Sequence, residues 1–187
     1  MRTPMTRAPH PFTGRRRFLR TGLFGGALLS LSAIVGRSLS GYHLPASAAR
    51  PRTLSEKELL VLAAIVMRIV APDAADAPPA DGLAMASWLD GYLGGMDPEL
   101  VKDVRALLHF VEHGGPLFRL RATRFSHMSD LEQDATLAAF ADSPIAVRRQ
   151  GLQALRALGF LAYYREDRTF AMLGYPGPMI GRKTAPT

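Results

Sequence analysis

Two histidines four residues apart with a glutamate between them, His109-Phe110-Val111-Glu112-His113, form the string best suited to chemistry in this 187-residue chain. On a helix, positions i and i+4 share a face. The imidazoles of His109 and His113 could therefore grip one divalent metal while Glu112 served as general base, the HxxEH pattern of a zinc-dependent hydrolase. The competing reading is structural: the string runs straight into Gly114-Gly115-Pro116 and so occupies the last turn of a helix, where the dipole favours basic side chains without any metal. Five-residue patterns also arise often by chance, and the structural reading is preferred. The chain is accordingly assigned no catalytic, cofactor-binding or metal-binding residue of its own, with the zinc site kept as the alternative.

No other string nominates an enzyme. His127, beside Met128 and Ser129, reads as an exposed residue ahead of a helix cap, and no GxSxG elbow is present. Neither GxGxxG nor GxxxxGK[ST] occurs, so no dinucleotide site or phosphate-cradling loop is encoded. Cysteine is absent, which excludes disulfides, thiolate zinc sites, iron–sulfur clusters and CxxCH haem attachment in this chain. The run Phe118-Arg119-Leu120-Arg121-Ala122-Thr123-Arg124-Phe125 could meet an acidic partner or lipid headgroups, but a solvated loop is the simpler reading.

Charge sharpens the exclusion. The formal net charge is +7, yet of the 23 Lys and Arg, seven lie in residues 1–48 with no Asp or Glu beside them. The remaining 16 are matched by the 16 acidic residues, so the rest of the chain carries no surplus to attract phosphate, and no nucleic-acid partner is expected.

The first 48 residues have a purpose of their own. Arg15-Arg16-Arg17-Phe18-Leu19-Arg20 resembles the twin-arginine export consensus, with Arg15 and Arg16 as the pair and Phe18 and Leu19 as the apolar positions; Gly14 replaces the usual Ser or Thr. An apolar stretch follows from Thr21 to Val35, and Ala46-Ser47-Ala48 supplies a small-x-small cleavage region at Ala46 and Ala48. A retained membrane anchor is the alternative, but Gly22 to Val35 as helix would reach only about 21 Å against a ~30 Å hydrocarbon core. The division expected is thus 1–48 as signal peptide and 49–187 as a helical domain, exported to the periplasm.

The elements that must position the remaining residues are helices. Ser55-Glu56-Lys57-Glu58 is a capping box flanked by a Leu54/Leu59 staple, opening a helix to about Val70 before Ala71-Pro72. A second helix is expected over about Leu83 to Leu93, ended by Gly94-Gly95. A third opens at Asp97-Pro98 and runs to His113. A fourth opens at the box Ser129-Asp130-Leu131-Glu132 and reaches about Ala141. A fifth runs from Ser143-Pro144 to Tyr163 or Tyr164, with apolar residues around most of its circumference, as for a helix that is central or covered by another chain. No strand alternation appears. The fold class is all-α, a small bundle of about five helices with an irregular Pro/Gly/aromatic C-terminal tail at Phe170 to Pro178.

In order along the chain, several strings resemble the gluconate 2-dehydrogenase subunit 3 family: the twin arginine, Leu54-Ser55-Glu56-Lys57-Glu58-Leu59-Leu60-Val61-Leu62, Arg68-Ile69-Val70-Ala71-Pro72, Phe125-Ser126-His127-Met128-Ser129, Tyr163-Tyr164 and Gly174-Tyr175-Pro176-Gly177-Pro178. The resemblance implies a non-catalytic small subunit of a periplasmic oxidoreductase complex. Its partner would be a large glucose-methanol-choline-type flavoprotein carrying FAD, which borrows this chain's export signal, often with a membrane-associated cytochrome c subunit. The lack of cysteine excludes a covalent tie to that partner. Because aromatics dominate interface cores, Phe160, Tyr163, Tyr164, Phe170 and Tyr175 are the expected contact residues. A membrane-anchored helical interaction protein is the further alternative.

Overall fold

A Ser55–Glu58 capping box starts the first helix as the sequence requires: the Ser55 amide donates to the Glu58 carboxylate at 2.7 Å and the Glu58 amide to Ser55 Oγ at 3.3 Å. The computed structural model describes residues 41–70, 77–114 and 123–177. Its α-helices are α1 (Glu56–Val70), α2 (Gly82–Leu93), α3 (Pro98–His109), α4 (Asp130–Ala141) and α5 (Ala146–Tyr164). Among the described residues there is no strand, and the chain is an all-α bundle. The twin-arginine residues Arg15, Arg16, Phe18 and Leu19, and the apolar stretch after them, lie outside the described residues.

Helix α1 is the hub. It touches all four other helices, and Leu59, Leu62, Ile65 and Val66 have no exposed surface. Two glycines set how closely its neighbours approach. A Cβ on Gly82 would sit 2.6 Å from the Ala63 carbonyl oxygen, so α2 begins against the α1 backbone itself. On α5, Gly159 packs beside Val66 and Ile69. Arg68, at the end of α1, clasps α4 by donating to Asp130 at 2.7 Å and to Asp134 at 2.8 and 2.5 Å.

The other starts follow side-chain caps: Asp81 accepts from Leu83 and Ala84, Asp97 from Glu99 ahead of Pro98, and Glu132 from the Ser129 amide. Two boundaries differ from expectation. Helix α5 begins at Ala146, because Arg149 reaches back to the Ser143 carbonyl and the Ile145 amide donates to Ser143 Oγ, which holds 143–145 as a turn. The third helix does not run regularly to His113: α3 ends at His109 and continues as a π-helical turn, Phe110–Gly114. Single 3-10 turns occur at Phe125–His127, Asp167–Thr169 and Ala171–Leu173, the last ended by Gly174 at φ +62°. Among the described residues no helix is long and apolar enough to cross a membrane.

Candidate functional site

The three residues of the HxxEH string part company in the structure. His109 and His113 stay on one side, their rings nearly parallel with centroids 6.4 Å apart. His109 Nε2 meets Glu58 Oε1 of α1 at 3.2 Å, while His113 Nε2 lies 2.9 Å from Lys57 Nζ. Glu112 is turned inside and fully buried, where it accepts from the Ser126 amide at 2.9 Å, Ser126 Oγ at 2.7 Å and the Tyr42 hydroxyl at 2.5 Å. A general base facing two imidazoles is not formed. Among the described residues no three His, Asp or Glu side chains are grouped to hold a metal ion.

The cluster these residues form is a polar seam between α1 and the π turn. Burial would raise the Glu58 carboxyl, but hydrogen bonds from His109 and from the Ser55 amide and hydroxyl, with the Arg105 charge, outweigh it and hold the pKa at about 2. His113 is pushed down to about 4, first by burial and then by the Lys57 charge, so it is neutral at pH 7 and its Nε2 lone pair accepts from the Lys57 ammonium. The Lys57 pKa is itself lowered, mainly by burial. Tyr42 is pushed up to about 12 by burial, by donating to Glu112 and by the charge of Glu112. Each of Glu58, His109, Glu112, His113 and Lys57 has a partner within the chain, so the seam joins α1 to the π turn.

Two anchors in this region escaped the sequence reading. Asp90, buried in α2, accepts from the amides of Arg52, Thr53 and Leu54 at 2.7, 2.9 and 2.7 Å, and Arg105 of α3 donates to the Thr53 carbonyl. Tyr42 is the other: its ring packs edge-on to His127 at 6.0 Å, with Lys57 and Arg124 over its faces at 5.4 and 5.3 Å. A carboxylate in an otherwise apolar helix was the available signal for Asp90; nothing in local spacing points to Tyr42. The cleavage-region residues Ala46 and Ala48 sit between these anchors, on a turn in which the Ala48 amide donates to the Pro45 carbonyl at 2.9 Å.

The expected interface residues divide. Phe160 and Tyr164 are 42 % and 37 % exposed on α5, next to Leu161 at 41 %, and Tyr175 is exposed in the tail. Phe170 is half-buried against Tyr175, ring centroids 5.1 Å apart. Tyr163 requires a correction: it is 3 % exposed and its hydroxyl donates to the Pro78 carbonyl at 2.7 Å, so it belongs to this chain's own core. Adjacent residues on a helix point about 100° apart, which puts Tyr163 inward and Tyr164 outward. Helix α2 adds Trp88 stacked on Tyr92 at 5.3 Å, and Arg165, the residue that caps the C-terminus of α5, lies 4.8 Å over the Trp88 ring. An open groove lined by Pro51, Arg52, Trp88, Gly91 and Tyr92 runs beside that stack. Comparison with models of protein families, with curated proteins and with solved structures finds no match.

Proposed function

We propose that this chain is the non-catalytic small subunit of a periplasmic, FAD-dependent oxidoreductase of the gluconate 2-dehydrogenase kind, exported by the twin-arginine route and aiding export, folding or stability of a large glucose-methanol-choline-type flavoprotein. The observation that carries the reading is the apolar surface of α5, where Phe160, Leu161 and Tyr164 are 42 %, 41 % and 37 % exposed and the Phe160 and Tyr164 rings lie 6.1 Å apart. Clustered exposed aromatics suit the core of a protein–protein interface. FAD belongs to the partner, as does the choice of substrate; a membrane-associated cytochrome c subunit would receive the electrons.

The test is co-expression of the full chain with a glucose-methanol-choline-type flavoprotein of the same organism, capture of this subunit from the periplasm, and the flavin absorbance of what co-elutes. Stoichiometric flavin is expected, and Arg15→Lys with Arg16→Lys should remove both proteins from the periplasm. A flavin-free single species in the periplasm would overturn the proposal.

A further inference from the structure

The stretch expected to leave with the signal is built into the domain. Tyr42 lies six residues before Ala48, yet its ring is held by Lys57 of α1, Arg124 and His127, and its hydroxyl by Glu112. Leu44 packs against the hydrophobic core. Between Leu44 and the Asp90 clamp on residues 52–54, the chain makes the Pro45–Ala48 turn. Cutting after Ala48 would strip Tyr42 from a carboxylate with no exposed surface and uncover the apolar surface beneath Leu44.

The turn matters for the cutting itself. In an extended strand, residues i and i+2 project to one side. Only such a strand can offer Ala46 and Ala48 together to two small-residue pockets of a protease; a turn closed across Pro45–Ala48 cannot. A chain exported in the folded state meets the processing enzyme with Tyr42 already docked.

We infer that residues 41–48 are a permanent strap of the folded domain, pinned by Tyr42, and that the Ala48–Ala49 bond stays intact, so the exported chain begins at or before Gly41. This rests on the export reading above, and the test separates the two. Mass spectrometry of the protein from the periplasm reads its N-terminus: a start at or before Gly41 is expected, and a start at Ala49 would overturn the inference while leaving export standing. Tyr42→Ala should raise the share of chains starting at Ala49 about tenfold, the population change equivalent to ~1.4 kcal/mol. Tyr42→Phe, which keeps the ring contacts, should raise it less. An unchanged share in Tyr42→Ala would refute the role of Tyr42.

If the protein stays in the cytoplasm, export fails but the strap remains testable on the purified full chain. Elastase, which cuts after small residues in extended chain, should cleave at Ala46 and Ala48 slowly in the wild type and about tenfold faster in Tyr42→Ala, by the same conversion. Equal rates would overturn the strap whatever the compartment.

Discussion

His113 is a histidine whose surroundings refuse it a proton. Its pKa is about 4 in the folded chain, from burial and the facing Lys57 ammonium, against ~6.5 in the unfolded chain. Between those values the unfolded state binds more protons, so stability falls as pH falls from about 6.5 towards 4. Thermal melts across that window should lose about 1 kcal/mol, less than the whole shift because solvent reaches the ring. His113→Asn should flatten the slope; an unchanged slope would mean that the ring is already protonated beside Lys57. Glu58 extends the trend: held at about 2, it contributes stability above pH ~4.5 that drains as pH falls to 2. Tyr42 works in the opposite sense, since a phenol raised to about 12 favours the folded state until the unfolded tyrosine ionises near pH 10.

Among the elements, the contact of α2 with the α1 backbone leaves least room for change. A methyl at Gly82 would meet the Ala63 carbonyl oxygen, an atom that cannot rotate away, so Gly82→Ala should cost about 1–3 kcal/mol, measured by urea denaturation, despite alanine's better helix propensity. Stability equal to the wild type would show that α2 shifts freely along α1. The helices themselves were legible in the sequence because their signals are local: Ser55 with Glu58, Asp97 before Pro98 and Ser129 with Glu132 lie within one turn of each other. The π turn was not, since widening Phe110–Gly114 answers to the side chains that Glu112 meets, and Ser126 and Tyr42 are 14 and 70 residues away. The HxxEH spacing was read correctly as sequence and misleads as geometry for that reason. Tyr163 and Tyr164 could not be told apart by composition; only the Pro78 carbonyl, across the bundle, decides which of them is core.

For the whole molecule, the contrast between an internally paired polar seam and a partly exposed aromatic surface yields the clearest prediction. Phe160→Ser combined with Tyr164→Ser removes exposed rings, so the melting free energy should stay within about 0.5 kcal/mol of the wild type. Capture of the flavoprotein in the co-purification should fall sharply. A large loss of stability would place these rings in the chain's own packing. The Asp90 and Tyr42 anchors carry a different consequence, one of timing. The amides that Asp90 receives lie 36 to 38 residues before it, and Tyr42 waits for a carboxylate 70 residues on. During synthesis the chain emerges N-terminus first, so residues 52–54 stay unlatched until α2 has been made, and Tyr42 until the turn after α3. Both anchors lie within α1 to α3 and the π turn, with α4 and α5 still to come, so through them residues 41–54 are tied to the first three helices of the bundle and not to the last two.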